Sequence, residues 1–473
     1  MNRISLCMIV RNEEESIARC LQSAVALVDE IIIVDTGSTD QTLEICRTFG
    51  AEIYSLDWSH NFSEARNESL SHAKGEWILI LDADDELPIS SHAHIRNLTD
   101  QEPYDAFFFI TKNLVGNSKH PSVLNYAQLR LFKNRSSFRF TGAIHERIPK
   151  LSNTRYLLAP ISIIHRGYLD NVVQKHNKVD RNLAILQVEL QQRPFDPTLH
   201  YYTGNEWLRA GKLSDAVQHY EQAMILQEGA DAQYWLPELP AKYAYTLWQI
   251  GQVDKAVEVV RQAIGEFPAY TDLYFLLGSL YIEQQRVDLA HDAFEKCVDL
   301  GEAPPTFPTQ EGCGTYLPTF FLGVIALVEK NVLRARTFFE QSVHFRPTYL
   351  PAVTQLCLCD WSEGKFESVK NRMEGVNEQE RGKEPIWELI HLINKSLITR
   401  KLCINTDDLT HTTSFLTCLA TLTSFDGPTQ RLGQLLLLLP VKIHRTAMQE
   451  EWYYELYGKY HLIACAMLKE LKD

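Results

Sequence analysis

The sequence has few of the features that mark secreted, membrane-spanning or nucleic-acid-binding proteins. Its ten cysteines form no CxxC pair and no cluster with histidine, which favours reduced thiols in a cytoplasmic protein over disulfides or structural zinc. No apolar run approaches the ~18 residues that a spanning helix needs, and the first ten residues do not resemble a secretory leader. The net charge of −14 is the opposite of what binds a phosphate backbone, so we expect no nucleic acid partner.

The 473 residues are too many for one hydrophobic core, and two to four domains are expected. In the first third of the chain, short apolar runs alternate with segments whose apolar residues have helical spacing. Aromatic runs typical of strands follow, and amphipathic helices make up the remainder. These changes predict an α/β domain that precedes an all-α domain. The predicted ranges are an α/β domain at 1–175, a connecting helix at 176–195, helical repeats at 196–363 and a helical C-terminal cap at 364–473.

Four short apolar runs in the first part of the chain are separated by segments with helical spacing. Such alternation is typical of βαβ units and predicts a parallel sheet. Ligands of these sheets bind at the carboxyl ends of the strands, so the polar residues that follow each run are candidates for a site. The predicted strands are Ile4–Val10, Glu30–Val34, Glu52–Leu56 and Glu76–Leu81.

A six-residue pattern with alanine at its end recurs in the all-α part. Each alanine is followed by an aromatic or apolar residue and then by a second small residue, as at Tyr220 and Ala223. The pattern resembles tetratricopeptide repeats, in which small residues allow helices to pack closely, and a generic helical bundle is the alternative. The copies are Gly211–Ala216, Gly251–Ala256, Gln285–Ala290 and, more loosely, Lys330–Ala335.

Acidic residues follow the fourth predicted strand directly, at Asp82, Asp84, Asp85 and Glu86. Carboxylates crowded at the end of a buried strand repel one another, and a divalent cation with a bound diphosphate would relieve that repulsion. Alternation along the chain predicts that Asp82 and Asp84 share one side, as in a DxD arrangement. A solvated turn is the alternative explanation for so short a pattern.

Polar residues also follow the second predicted strand. Gly37 allows a close turn and Ser38 or Asp40 can cap the next helix, but neither function explains Asp35, whose carboxylate suits a uracil ring. Arg66, on the helix before the fourth strand, suits a diphosphate, whereas a lone surface arginine is the alternative.

Four segments occur in the order and spacing of family-2 glycosyltransferases of GT-A fold, and the chain resembles that family. The resemblance implies a nucleoside pocket lined by Val10 and Asn12 together with Asp35 on the base, and places Arg66 at the base or diphosphate. It also implies Asp82 at the ribose or in the metal shell and Asp84 as a direct metal ligand. The four segments are Met8–Glu14, Val34–Asp40, Ala65–Asn67 and Leu81–Asp85.

The resemblance further implies an inverting reaction, which requires a general base near the acceptor. The His145–Glu146 pair resembles an element of the tetratricopeptide-bearing branch of the family, and we expect Glu146 to be the base, with His145 as the other candidate. An exposed salt bridge between Glu146 and Arg147 is the structural alternative. His165 is expected to complete the metal shell, and Tyr168 to contact the donor.

The architecture resembles the sublancin-type peptide S-glycosyltransferases. We therefore expect an α/β GT-A domain, a Rossmann-like nucleotide-diphospho-sugar transferase, followed by an all-α tetratricopeptide-like repeat domain. The expected reaction moves a hexose or N-acetylhexosamine from a UDP-sugar, with Mg²⁺ or Mn²⁺, onto a peptide or protein side chain (Cys or Ser/Thr). A homodimer through the helical repeats is a further hypothesis.

Three other functions stay open on the sequence alone. The acceptor could be a lipid-linked or cell-envelope glycan, or the chain could be a repeat scaffold without activity. A nucleotidyltransferase also uses strand-end carboxylates, but it needs a glycine-rich phosphate loop at the first strand, and Cys7–Asn12 contains no glycine.

Overall fold

The computed structural model describes residues 2–100, 103–116, 121–169, 178–227 and 235–362, together with 365, 367, 368, 371 and 372. The chain divides into two compact units. The first unit comprises Met1–Tyr270 and Pro304–Glu311, and the second comprises Thr271–Ala303 and the residues from Gly312 onwards. The predicted C-terminal cap lies almost entirely outside the described residues, and the predicted domain boundaries stay predictions.

Within the described residues, nine strands of the first unit form one mixed sheet. The strand order is β3-β2-β1-β4-β7-β6-β8-β5, and β9 pairs with β7. The strands are β1 (Ile4–Val10), β2 (Glu30–Asp35), β3 (Glu52–Ser55), β4 (Trp77–Ile80), β5 (Asp85–Glu86), β6 (Ala106–Gly116), β7 (Ser122–Lys133), β8 (Tyr156–Leu169) and β9 (Thr309–Gln310).

Strands β1 to β4 are the predicted parallel layer, and their pairings confirm it. All four side chains of β4 are buried, as expected where both faces of a parallel sheet are covered. In the register of β1 and β2, Val10 lies opposite Asp35, so both strands end at the same edge. Because β4 ends at Ile80, the acidic residues come directly after this edge of the sheet.

The remaining strands extend the sheet with longer, mostly antiparallel pairings. Strands β6 and β7 pair antiparallel, β6 and β8 pair parallel, and the two-residue strand β5 pairs antiparallel with β8. This last register places Asp85 opposite His165. Strand β9 lies far along the chain and pairs with β7 at Leu124 and Asn125.

Fourteen helices lie within the described residues. None has both the length and the apolar character needed to cross a bilayer. They are α1 (Ile17–Ala24), α2 (Thr42–Thr48), α3 (Phe62–His72), α4 (His92–Thr99), α5 (Lys178–Gln192), α6 (Pro197–Arg209), α7 (Leu213–Leu226), α8 (Glu238–Gln249), α9 (Val253–Glu266), α10 (Thr271–Glu283), α11 (Val287–Leu300), α12 (Tyr316–Val328), α13 (Val332–Phe345) and α14 (Leu350–Ser362).

The recurring pattern of the all-α part marks the turn between two helices. Its first residue has a positive φ in every copy: 71° at Gly211, 81° at Gly251, 59° at Gln285 and 63° at Lys330. The left-handed residue ends the preceding helix, and the short turn lets the next helix pack back against it. The alanine that ends each copy is fully buried, so the predicted repeats are confirmed as helix pairs.

Glycine at the centre of a helix pair sets how closely the two helices approach. A Cβ at Gly278 on α10 would lie 2.7 Å from the ring of Phe294 on α11. We expect Gly278→Ala to destabilise the protein by about 1–3 kcal/mol, because the ring is fully buried and must shift. A Cβ at Gly265 on α9 would meet no atom within 4 Å, so Gly265→Ala should stabilise the protein by about 0.5–1 kcal/mol. Urea unfolding followed by circular dichroism compares the two, and equal midpoints would contradict the packing argument.

Candidate active site

Two arginines neutralise the first carboxylate after β4. Asp82 accepts a hydrogen bond from Arg66 Nη2 at 2.7 Å and lies 3.3 Å from Arg130 Nη1. Burial would raise the pKa of Asp82, but the two guanidinium groups outweigh it and hold that pKa well below its ordinary value. Arg130 also lies 3.0 Å from Asp85, which is fully buried. The acidic residues are therefore compensated in part by the protein itself, which the sequence did not reveal.

Asp84 faces a different set of partners. Its carboxylate lies 3.3 Å from His165 Nδ1 and 3.5 Å from Lys178 Nζ at the start of α5. The other partner of His165 Nδ1 is Asp85 Oδ1, at 2.9 Å. A Cβ at Gly167 would collide with both Asp84 Oδ2 and His165 Nε2, so these two atoms converge on the glycine. Burial lowers the pKa of His165, but Asp84 and Asp85 outweigh it and raise that pKa to about 9.

These side chains fit a divalent cation. Asp82, Asp85 and His165 offer ligand atoms that all lie within 4.8 Å of one another. Asp85 already accepts from Arg130 and His165, so we favour it as the carboxylate that orients the imidazole, and Asp84 with His165 Nε2 as the ligands. Carboxylate oxygens are the ligands that Mg²⁺ and Mn²⁺ prefer.

The loops after β1 and β2 are tied together at the predicted nucleoside pocket. The side chain of Val10 packs in the core, with 3% exposed, and its carbonyl accepts from Thr36 N at 3.0 Å. Asn12 has a φ of 55°, its Oδ1 accepts from Thr39 N at 2.8 Å, and its backbone N–H donates to Ser38 Oγ at 3.0 Å. Asn12 therefore holds the two loops in place, and Val10 offers little side-chain surface.

Asp35 has a structural function that was not predicted. Its carboxylate accepts from the backbone N–H of Ser38 at 3.0 Å and of Gly37 at 3.3 Å. Gly37 has a φ of 104°, a conformation that favours glycine. The expectation that the turn does not explain Asp35 is thus wrong, since the turn alone accounts for this carboxylate, and contact with a base stays a prediction.

The turn that carries the predicted base lies against the start of α3. Glu146 Oε1 accepts a short hydrogen bond from Arg66 Nε, and the Glu146 side chain is 11% exposed. The alternative interpretation, an exposed salt bridge between Glu146 and Arg147, is therefore wrong. Arg66 links the predicted base to Asp82, and its guanidinium lies 5.4 Å from the ring of Phe140. Arg66 is accordingly no lone surface arginine.

The neighbouring residues face the repeat helices. His145 stacks on Tyr202 of α6, with ring centroids 3.6 Å apart. Burial, followed by Arg209 and Arg181, lowers the pKa of His145 to about 3, so its ring is neutral at ordinary pH. The ring centroids of Tyr168 and His165 are 5.1 Å apart, and the Arg209 guanidinium lies over the Tyr168 ring, 4.9 Å from its centroid.

Several residues of the site were missed in the sequence. Burial and then Asp84 raise the pKa of Glu13 to about 6, which places Glu13 beside the acidic group. Lys178 and Arg181 approach from α5, a helix that no transferase motif includes. Of these residues, Arg130 alone gave a signal in the sequence, because it interrupts the apolar run of β7. In the structure its side chain is buried, with 4% exposed.

Comparisons with known proteins identify relatives of both parts of the chain. Residues 5–155 match the family described as glycosyl transferase family 2, and residues 244–305 match a tetratricopeptide repeat family. A TPR repeat-containing protein of Synechococcus elongatus is 32% identical over 313 residues, which cover 63% of this chain and 75% of the relative. An uncharacterized glycosyltransferase of Rickettsia typhi is 38% identical over 87 residues, 18% of this chain and 30% of that protein.

The SPbeta prophage-derived glycosyltransferase SunS of Bacillus subtilis is 24% identical over 225 residues, and the match spans 47% of this chain and about half, 53%, of SunS. The predicted GT-A-like α/β fold, the repeats and the enzyme class are all confirmed by these matches. The chain therefore combines a family-2 glycosyltransferase domain at residues 5–155 with tetratricopeptide repeats at residues 244–305, and it belongs to the family of the TPR repeat-containing protein of Synechococcus elongatus.

Proposed function

We propose that the chain is a metal-dependent, inverting glycosyltransferase that moves a hexose or N-acetylhexosamine from a UDP-sugar onto a peptide or protein side chain. One observation carries the proposal. Asp84 Oδ2 and His165 Nε2 converge on Gly167, and the buried Asp85 orients the imidazole from behind. A donor diphosphate bound at this edge of the sheet would meet the metal ligands and the arginines together.

The donor side of the reaction depends on charge. Asp84 and His165 would hold the divalent cation, which would supply positive charge against the departing diphosphate. Arg66 presents a guanidinium whose direction is fixed by Asp82 and Glu146, which suits the same phosphate oxygens. Asp35 and Asn12 fix the loops that would hold the nucleoside. Tyr168 would contact the sugar of the donor.

The acceptor side depends on Glu146. Arg66 binds its Oε1, so Oε2 is the oxygen that would take the proton of the attacking group. The acceptor oxygen or sulfur then bonds to the anomeric carbon as the bond to the diphosphate breaks. A cysteine acceptor needs less help from a base, because a thiol is partly ionised near neutral pH.

The proposed peptide acceptor rests on the likeness to SunS and on the presence of tetratricopeptide repeats in the chain. Repeat arrays offer extended surfaces that suit peptides. A lipid-linked or cell-envelope glycan remains the alternative acceptor. A homodimer through the repeat helices stays a prediction, since a single chain does not test it.

The proposal is tested by nucleotide release from a panel of UDP- and GDP-sugars with Mn²⁺, Mg²⁺ or EDTA. We expect metal-dependent release from a UDP-sugar, and mass gain of one sugar on peptides that contain Cys, Ser or Thr. Labelling of a polyprenyl phosphate instead of any peptide would replace the peptide by the lipid-linked acceptor. Absence of release from every donor would contradict the catalytic assignment.

Metal affinity should rise with pH. With a pKa of about 9, His165 carries a proton at neutral pH, and this proton must leave before the imidazole can bind a cation. The apparent Kd for Mn²⁺ should therefore fall by about tenfold per pH unit between pH 6 and 8 and become constant above pH 9. Calorimetry in buffers of different ionisation enthalpy counts the released proton. His165→Gln should remove the dependence in this range, and an equal slope in this variant would assign the proton elsewhere.

A further inference from the structure

The turn that carries Glu146 is closed by its own backbone. Thr141 and Arg147 exchange hydrogen bonds of 2.9 and 3.1 Å, which makes residues 141–147 a closed loop. The loop is fixed at one side on α3, because Phe62 N donates to Ala143 O at 2.8 Å and Ser63 Oγ donates to Gly142 O at 2.6 Å. The first residues of the loop are therefore anchored on α3. The orientation of the residues that follow them needs a second support.

His145 requires that second support. Its φ is 51°, a left-handed conformation that a residue with a Cβ seldom adopts. Such a conformation persists where the surroundings hold it. The planes of the His145 and Tyr202 rings are 8° apart, and His145 Nε2 lies 3.9 Å from Glu206 Oε1. Both contacts come from α6, the first helix of the first repeat pair.

The side chains of α6 are themselves held firmly. Glu206 is fully buried and accepts from Arg209 at 2.7 Å and from Asn182 of α5 at 3.2 Å. One residue before Tyr202, Tyr201 donates a short hydrogen bond to Glu238, which also accepts from Tyr126 of β7 at 2.6 Å. The sheet therefore fixes α6 from a second direction, independently of the 141–147 turn.

Adjacent residues of the turn thus have different partners. Glu146 faces Arg66 in the transferase site, whereas His145 faces α6. A change of φ at His145 would rotate the following peptide and move the Glu146 carboxylate away from Arg66. The ring of His145 is neutral at ordinary pH, so this contact does not depend on a charge.

We propose that Tyr202 is a positioning residue, which holds His145 in its left-handed conformation and thereby keeps Glu146 at the reacting atoms. The first repeat helix is then part of the catalytic centre as well as of the repeat array. The consequence for activity rests on the proposed function of Glu146 as the base, whereas the consequence for the turn does not.

Crystal structures of full-length Tyr202→Leu and Tyr202→Phe test the turn directly. Leucine keeps apolar bulk but cannot stack, and phenylalanine keeps the ring. We expect a negative φ at His145 and loss of the Glu146–Arg66 pair in Tyr202→Leu, and the parent geometry in Tyr202→Phe. An unchanged turn in Tyr202→Leu would overturn the proposal.

Donor hydrolysis and donor binding test the catalytic consequence. In Tyr202→Leu, kcat should fall at least tenfold, while the Kd for UDP in the presence of Mn²⁺ stays within twofold. Tyr202→Phe should keep at least half of kcat. Tyr54→Leu is the matched control, because Tyr54 stacks on His72 with centroids 3.5 Å apart and planes at 8°, away from the turn. An equal loss in Tyr54→Leu and Tyr202→Leu would overturn the proposal.

Variants of His145 cover the case in which Tyr202→Leu does not fold. His145→Ala should lose kcat at least tenfold, and His145→Phe should keep at least a third because its ring can still stack. If His145→Phe loses as much as His145→Ala, the imidazole itself acts and the positioning proposal is wrong. If Glu146→Gln is fully active while the turn moves in Tyr202→Leu, the base is misassigned and the positioning stands.

Discussion

Asp84→Ala is expected to reduce metal-dependent nucleotide release by about 10³-fold or more. The loss is large because several kcal/mol of transition-state stabilisation depend on a correctly held cation. Asp84 has no substitute at this position, since Asp82 is paired with two arginines and Asp85 with Arg130 and His165. Calorimetry with Mn²⁺ should show the loss of metal binding in parallel with the loss of activity.

Glu86 provides the matched control in the same acidic segment. Its carboxylate pairs with Arg166 at 3.1 Å and lies 3.7 Å from Arg19, so it has partners other than the metal candidates. Glu86→Gln should therefore keep activity within about threefold, because half-buried ion pairs that water still reaches contribute little. Residual activity of Asp84→Ala above one tenth of the parent would remove Asp84 from the ligands.

Glu146→Gln is expected to lower transfer by about 10²–10⁴-fold, the range that general base catalysis contributes. Glutamine has nearly the same shape and can still contact Arg66, so the Kd for the donor should change by less than about threefold. A loss of kcat at unchanged donor affinity would identify a group that acts only in the transition state.

Glu68 on α3 is the control for this substitution, because its carboxylate pairs with His72 rather than with Arg66. Glu68→Gln should be as active as the parent. If the acceptor is a thiol, Glu146→Gln should regain activity as pH rises towards the thiol pKa, since the thiolate needs no base. Full activity of Glu146→Gln at neutral pH would exclude Glu146 as the base.

Local patterns predicted most of the fold. The apolar runs of β1, β2 and β4 are long enough to identify strands without any partner. The observed bounds of β1 are those expected, and those of β2 and β4 differ by one residue at one end or at both. The helix turns were predictable for the same reason, because a residue that ends one helix and a small residue that packs the next recur at fixed spacing. Both signals reside in a few neighbouring residues.

The charge balance of the site was not predictable, because it depends on residues brought together from distant strands. Arg130 reaches Asp82 and Asp85 only through the pairing of β7 with β4, and His165 meets Asp85 only through the β5–β8 register. From the acidic segment alone, a divalent cation and a bound diphosphate were expected to relieve the repulsion between the carboxylates, and the protein's own arginines were not. Its actual environment combines cations from α3, α5 and β7 with a histidine whose pKa Asp84 and Asp85 raise.

Because strand β9 comes late in the chain, the sheet can gain its last strand only late in synthesis. Lys112 and Glu311, whose side chains lie 3.1 Å apart beside β9, are separated by 199 residues in sequence. At about 5–20 residues per second, the ribosome adds this stretch in about 10–40 s. Once β7 has been made, the β6–β7 hairpin has no β9 partner for most of that interval, so the edge of β7 at Leu124 and Asn125 is open to other nascent chains. The transferase sheet is thus finished only after several repeat helices have been made, and chaperones that cover strand edges would act in this interval.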